Sequence, residues 1–309
     1  MTMLSRVENI LVMRGGALGD FILTLPVLAA LRGRFPKARL NILGYPRVAA
    51  LAQAGGCADA VAPLEAPRLA RMFAADAPMM EEFAGYDLLV SYIYDPEGIW
   101  RANIQRSAPN AFYVTGPHRP DDAGALHATE ALLAPLAAIG IHEANPVPRL
   151  NLGPAVASLG LALHPGSGSE RKNWPETHWA DLLRLIMERT RWHCLLIGGE
   201  AEVGKLERLQ NAARSASGFA EERLEVAQNL DLVELGRRLQ RRDFFVGHDS
   251  GVTHLAAALG RRGLVLWGES NMAVWRPRGD RMEIMRAAGG LSRLPVADVF
   301  GKLTAASIV

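Results

Sequence analysis

Cysteine is nearly missing from this 309-residue chain: only Cys57 and Cys194 occur. They are far apart and form no C-x-x-C pair, which excludes a disulfide framework and a zinc site and fits a reducing cytoplasm. Cys194, in "WHCLLIGG", reads as a buried thiol in a strand. Long apolar runs are also missing. The nearest, "ALLAPLAAIGI" at 131–141, falls short of the roughly 20 residues that span a bilayer. The opening stretch "MTMLSRVENILVMRGG" lacks the basic-then-apolar layout of a signal peptide. There is little excess charge of either sign: 34 basic against 32 acidic residues leave a net +2, and a general nucleic-acid binder would need a concentrated basic face. Lysine is scarce. Of the 34 basic residues, only Lys37, Lys172, Lys205 and Lys302 are lysines, a bias that reads as codon usage before it reads as anion recognition.

What remains is an ordinary globular composition, 49% hydrophobic and 21% charged, in a chain long enough for two domains. Short apolar runs alternate with helical stretches, the pattern of α/β proteins with parallel sheets. In the first half "ILVMR" (10–14), "RLNILG" (39–44), "DAVAPL" (59–64), "YDLLVSYI" (86–93) and "AFYVTG" (111–116) are strand candidates. "LTLPVLAALRGRF" carries Leu28, Leu31 and Phe35 at helical spacing, and 126–141 is a helix interrupted or bent at Pro135. The Pro- and Gly-rich stretch 145–160 reads as a linker. Beyond it the pattern restarts: strand "LALH", helix 175–190, strand "HCLLIGG", helix 201–216, strand "RLEVA", helix 230–240, strand "DFFVG", helix 251–260, strand "LVLWG", and a terminal helix over 295–309. The expected organisation is two Rossmann-like domains, 1–152 and 153–309, with a ligand cleft between them.

Three loops carry the chemistry. "RGGALGD", Arg14 to Asp20, follows the first strand, and its glycines Gly15, Gly16 and Gly19 permit a tight turn and close backbone approach. Asp20 would stand at the carboxyl edge of the sheet, where open α/β folds place ligands. Spacing alone leaves two readings open: a ligand-facing carboxylate, or a cap for the next helix. The spacing departs from G-x-G-x-x-G and no acidic residue closes the second strand, so a dinucleotide site is poorly supported. "GSGSERK" (166–172) offers hydroxyls at Ser167 and Ser169, free amides, and the cations Arg171 and Lys172 ahead of a helix. It suits a phosphate or diphosphate, although a solvated turn would look the same. "VGHDSGVTHLAAALG" (246–260) ends a strand and opens a helix with His254 in its first turn. Asp249 would cap that helix, whose amino terminus favours an anion. "GGEAE" (198–202) adds acidic groups where a ribose could be hydrogen-bonded.

Taken together, these segments resemble the ADP-heptose:lipopolysaccharide heptosyltransferase family over nearly the whole chain. The carriers are "ILVMRGGALGDFILTLPVLAALRGRFP", "LALHPGSGSERKNWPETHWADL" and "FFVGHDSGVTHLAAALG…LVLWGESN", three motifs in the family's order. The resemblance implies the GT-B fold, two facing Rossmann-like domains with parallel sheets and an interdomain cleft. The acceptor would bind in the amino-terminal domain and the nucleotide-sugar in the carboxyl-terminal one. It also implies that Asp20 is the general base, with Gly15, Gly16, Ala17 and Gly19 forming the acceptor-side loop. On the donor side Lys172 would bind the diphosphate beside Ser167 and Gly168. Glu202 would hold the ribose, Leu230 would line the adenine pocket, and Asp249, Ser250, Gly251 and His254 would complete the donor segment. Two positions depart from the family pattern. Ala17 stands where inner-core enzymes can carry a hydroxyl residue, and "GESNM" (Gly268 to Met272) replaces the common "GPTDP" near the donor sugar.

The reaction so implied is inverting transfer of a heptose or related sugar from an ADP-sugar to a hydroxyl of an anionic, lipid-linked saccharide, in lipopolysaccharide core assembly. No D-x-D element lies between the strands of either half, so no metal or cofactor is required, stimulation by Mg2+ being the one allowance. A cytoplasmic monomer is expected, with peripheral contact to the inner face of the inner membrane open to it, and no nucleic-acid partner. Arg47, Arg68, Arg71, Arg101, Arg106 and Arg119 are candidates to meet the acceptor's anionic groups, although solvated surface explains each singly. Three rivals stand beside this reading. One is a same-fold transferase using another sugar nucleotide for other glycan, glycoprotein or natural-product assembly. The second is a nucleotide-dependent oxidoreductase, for which both glycine loops lack the fingerprint. The third is a non-catalytic sugar-nucleotide binding module.

Overall fold

The apolar runs pair in parallel throughout. A computed structural model describes residues 6–154 and 158–306, and the chain divides into two units, Met1–Leu152 and Gly153–Val309. The first unit runs β1 (Asn9–Arg14), α1 (Leu18–Ile22), α2 (Leu25–Arg34), β2 (Arg39–Gly44), α3 (Pro46–Ala54), β3 (Ala60–Pro63), β4 (Leu88–Ser91), α4 (Ile99–Ser107), β5 (Phe112–Thr115) and α5 (Ala128–Leu133). Its five strands lie in the order β3-β2-β1-β4-β5. Ile10 to Met13 are buried at 3% exposure or less, as expected of a strand covered on both faces, whose sequence is apolar without alternation. Pro135 does interrupt the helix read over 126–141: α5 stops at Leu133 and a 3-10 segment, Ala134–Ile139, takes over. Proline cannot donate the next helical hydrogen bond.

The second unit runs β6 (Ser158–His164), α6 (Glu176–Arg189), β7 (His193–Gly198), α7 (Val203–Arg214), β8 (Leu224–Gln228), α8 (Leu232–Gln240), β9 (Arg242–His248), α9 (Gly251–Ala258), β10 (Arg262–Leu266), α10 (Met272–Trp275), β11 (Met282–Met285) and α11 (Val296–Ala306). Its six strands lie in the order β11-β10-β9-β6-β7-β8. Three differences from the sequence reading have physical causes. The stretch taken as linker to residue 160 includes the start of β6, whose register against β9 shifts between Ser158 and Leu161, so no clean period marks it. β11, "MEIM", was not read at all: it is an edge strand whose residues are half-buried or exposed, leaving little apolar signal. The terminal helix read over 295–309 runs from Val296 to Ala306 in the described residues, and residues 307–309 lie outside them.

The strand orders fix where ligands can go. In each sheet the winding reverses beside the first strand, between β1 and β4 in one unit and between β6 and β9 in the other. At such a reversal the connecting loops diverge and leave a crevice at the carboxyl ends of the strands. Asp20 follows β1. The "GSGSERK" and "HDSG" loops follow β6 and β9 on either side of the second reversal. In the second unit a core of Leu161, Leu163, Trp174, Trp179, Leu196, Val246 and Leu264 underlies these loops. Among the described residues no helix is long and apolar enough to cross a membrane.

Candidate active site

In the first unit Asp20 is the third residue of α1, with its side chain 32% exposed. Its Oδ2 accepts the backbone N–H of Ala17 at 3.0 Å, and its Oδ1 lies 3.8 Å from Nη2 of Arg14. One of the two readings that spacing left open is seen directly: Oδ2 caps α1, while Oδ1 lies toward Arg14. Ala17 has no side-chain oxygen to complete the reciprocal cap. The turn needs glycine at position 16, where φ is +97° and an added Cβ would lie 2.9 Å from Asp20 Oδ2. At Gly15 an added Cβ would make only ordinary contacts with Leu64 and Tyr45.

Arg14, read from sequence only as the start of the motif, organises this loop. It is 1% exposed, donates Nη1 to the His118 carbonyl at 2.6 Å and Nη2 to the Asp20 carbonyl at 3.3 Å, and lies 5.9 Å from the Tyr92 ring centre. Burial lowers its pKa, and the neighbouring Asp20 carboxylate opposes that shift. Among the candidate acceptor arginines, Arg68 pairs with Glu82 at 3.1 Å, Arg101 donates to Gln105 at 3.2 Å and Arg119 pairs with Asp122 at 2.5 Å. All three hold local partners.

In the second unit the structure brings Lys172 and Asp249 together: Nζ to Oδ2 is 2.7 Å, with the carboxylate side chain 8% exposed and the lysine 37% exposed. This pair spans the loops at the strand reversal. Asp249 does not cap α9 as expected. Ser250 does, with extended backbone (φ −153°, ψ 163°) and its Oγ accepting the Thr253 N–H at 3.3 Å. Asp249 lies one residue too early to reach that amide and holds the lysine instead. Gly251 opens α9, and His254 is buried in its first turn. Ser167 Oγ donates to the Ser169 carbonyl at 2.8 Å, closing the glycine-serine turn on itself. Glu202 Oε2 accepts the Gly199 N–H at 2.9 Å. An added Cβ at Gly166 would meet Glu202 Oε1 at 2.6 Å, so glycine there lets the carboxylate lie against the loop. Leu230 is half-buried between β8 and α8.

Two histidines and a tryptophan that sequence reasoning passed over hold these loops. Trp174, 1% exposed, donates Nε1 to the Leu294 carbonyl at 3.0 Å and its backbone N–H to His248 Nε2 at 2.8 Å. Since Nε2 accepts, Nδ1 carries the proton and points at the Gly166 carbonyl, 3.3 Å away. Burial pushes His248 down to about 4, keeping it neutral for this role. His164, with Nδ1 3.3 Å from Ser250 Oγ, is pushed to about 3 by burial and then by the charges of His248 and Lys205. Each histidine is the last residue of a strand feeding an anion-ready loop, a signal that was legible in "LALH" and "FVGH". The "GESNM" loop also belongs here: an added Cβ at Gly268 would lie 3.6 Å from the Lys172 Cα.

Residues 148–295 match the family model described as glycosyltransferase family 9 (heptosyltransferase). The lipopolysaccharide heptosyltransferase 1 of Salmonella typhimurium is 30% identical over 133 residues, 43% of this chain and 39% of that protein. Its counterpart from Escherichia coli O18:K1:H7 is 30% identical over 145 residues, 47% of this chain and 42% of that protein. The sequence matches thus span well under half the length of these relatives. Over the whole chain the fold is that of GT-B heptosyltransferases. The E. coli ADP-heptose lps heptosyltransferase II gives a TM-score of 0.77 at 17% identity, covering 97% of this chain and 98% of its own. E. coli heptosyltransferase WaaC with ADP-2-deoxy-2-fluoro heptose gives 0.72 at 21%, covering 97% and 100%.

Proposed function

We propose that the chain is an inverting glycosyltransferase that moves a heptose from an ADP-sugar to a hydroxyl of a lipopolysaccharide core acceptor. The observation that carries this reading is the Lys172–Asp249 pair across the strand reversal of the family 9 domain. An ammonium held there by a buried carboxylate is oriented in advance for a diphosphate. ADP and an ADP-heptose analogue are bound by the structurally similar WaaC, which supports an adenine nucleotide as the carrier. In this reading the second unit is the donor domain and the first the acceptor domain.

The chemistry follows from the residues. Asp20 takes the proton from the acceptor hydroxyl as that oxygen bonds to the anomeric carbon. The bond from that carbon to the diphosphate breaks on the opposite face, and ADP leaves. Arg14 anchors the base by donating to its backbone carbonyl, and general-base assistance of this kind is worth about 10²–10⁴-fold. Lys172, the loop amides of 166–169 and the amino terminus of α9 meet the charge that grows on the leaving diphosphate, an electrostatic effect that commonly dominates catalysis. Glu202 is placed for ribose hydroxyls, and Leu230 for the adenine. The acceptor is taken to be anionic and lipid-linked, and contact with a membrane surface follows from that substrate. The protein is taken to act as a monomer.

A thermal-shift comparison tests the reading, because a ligand that binds only the folded state raises its melting temperature. ADP and ADP-heptose are expected to stabilise the protein more than NAD or NADP. Equal or larger stabilisation by a nicotinamide dinucleotide would favour an oxidoreductase.

A further inference from the structure

Lys205 breaks several local rules at once. It is in the first turn of α7, where the helix dipole disfavours a cation, and no acidic side chain offsets it in that turn. Its side chain is only 14% exposed, yet its one ion pair among the described residues is a long one, 3.9 Å to Glu170 Oε1, a carboxylate whose own side chain is 90% exposed. The other carboxylates nearby are committed elsewhere. Both oxygens of Glu176 are taken by Arg208, at 2.6 and 2.9 Å, and Glu202 is turned to the Gly199 amide. The stem of Lys205 is therefore packed while its ammonium has only this long contact as an ion pair, and a lysine so placed carries its charge at the end of a buried stem. Its field also reaches His164 and His248, where it adds to burial in keeping both imidazoles neutral. These histidines end the strands that feed the two anion-ready loops. A cation in the first turn of a helix, beside the two anion-ready loops and with only a long contact to an exposed carboxylate as its ion pair among the described residues, is placed for an anion that the fold does not itself supply.

Its location says what it serves. Glu170 belongs to the short 3-10 turn Glu170–Lys172, which carries Lys172. One end of this turn is therefore held to Asp249 through Lys172, and the other approaches Lys205 through Glu170. We propose that Lys205 is a second cation for the donor's diphosphate, acting with Lys172, and that Glu170 is a weak counter-ion which a phosphate oxygen displaces from it. The proposal rests on the donor reading of this unit and extends it: the site would hold the diphosphate between two lysines approaching the loop from different elements. An ADP-sugar binds the same way in its nucleotide part, so ADP is a sufficient probe.

The test is binding of ADP and of adenosine by calorimetry and ligand-observed NMR, for the wild type and for Lys205→Met, Lys205→Arg and Glu170→Gln, at two salt concentrations. Lys205→Met keeps the apolar stem and removes only the charge. It is expected to weaken ADP about 10–100-fold, the range of a charged hydrogen bond, to leave adenosine unchanged, and to flatten the salt dependence of ADP binding. Lys205→Arg should recover part of the loss, and Glu170→Gln should leave ADP binding equal or tighter. Wild-type ADP affinity in Lys205→Met overturns the proposal. So does an equal loss of ADP and adenosine, which would make Lys205 a prop for the loop. If Lys205→Met fails to fold, Glu170→Gln and Lys205→Arg still decide: a marked loss of ADP binding in Glu170→Gln contradicts the displacement. Should the wild type bind no ADP at all, the donor reading itself fails and takes this proposal with it.

Discussion

The two units treat their site residues differently. In the second, the charged groups are fixed from beneath by the core: Trp174 is pinned by its indole N–H and by a neutral His248, and Asp249 is buried against Lys172. In the first, Asp20 is fixed by one backbone amide and one buried arginine, and the surroundings are more open. All the exposed large hydrophobics identified in the described chain, Tyr45, Phe73, Met79, Tyr94 and Leu126, belong to this unit. Tyr45 directly follows β2, Tyr94 lies just beyond β4, and β2 and β4 flank β1 on either side. A diphosphate of fixed shape suits a rigid cradle. A saccharide acceptor suits a surface with exposed rings and room to enter. The contrast teaches where variants should act: changes in the second unit should strike donor binding and stability together, whereas changes in the first should strike turnover with the fold intact.

The largest expected effect is on turnover. Asp20→Asn can still accept the Ala17 N–H through its amide oxygen, so the cap survives while the base is lost. We expect kcat to fall about 10²–10⁴-fold with an unchanged melting temperature, checked by steady-state kinetics alongside calorimetry. Near-normal turnover would remove Asp20 as the base. The next effect is structural. Trp174→Ala should cost about 3–5 kcal/mol of stability through cavity formation and the loss of the indole hydrogen bond to the Leu294 carbonyl, and should loosen ADP binding as well. Denaturant unfolding with and without ADP separates these, and a variant that lost donor binding alone would show that the tryptophan does not support the fold.

Lys172→Ala is expected to lower both kcat and donor affinity, because its charge matters more as the leaving group ionises. It also strands the buried Asp249 carboxylate, so the double variant Lys172→Ala/Asp249→Asn should regain stability without regaining turnover. Lys172→Arg should rescue in part, since a planar fork does not reproduce a compact ammonium. The adjacent Arg171 is exposed, and its alanine variant should change little. If Arg171→Ala proves the more damaging of the two, the orientation of this loop toward the diphosphate is wrong.

The smallest effect is on pH dependence. His248 and His164 have folded pKa values depressed to about 4 and about 3. In the unfolded chain they take up protons near pH 6.5, so the unfolded state binds more protons below that pH. Their contribution is full above about pH 6.5 and is lost as pH falls toward 4, on the order of 3 kcal/mol for His248 alone. His248→Gln should flatten the decline of melting temperature over that window, and an unchanged slope would show that this imidazole is not held neutral by the fold.

Much of this was legible in the sequence because parallel strands buried on both faces write themselves as apolar runs, and because anion-ready loops need small residues. The strands around Ile10–Met13 and Leu195–Gly198, the glycine-serine turn and the Asp20 loop were read from those signals. What escaped depended on pairing across distance. Nothing near Asp249 reveals that its partner is Lys172 rather than an amide of α9. Arg14 looks like a loop cation until β1 buries it against the His118 carbonyl. Edge strand β11 is too short and too exposed to leave a period, and the start of β6 is hidden by its register shift.

The measurement that bears most directly on the account is transfer itself. Purified protein is incubated with ADP-heptose and deacylated, heptose-free lipopolysaccharide as acceptor, and the products are followed by mass spectrometry with the Asp20→Asn variant in parallel. The account predicts one added heptose per acceptor with release of ADP by the wild type, and a strongly reduced yield from the variant although it binds ADP normally. ADP binding without any transfer, or transfer undiminished in Asp20→Asn, would contradict it.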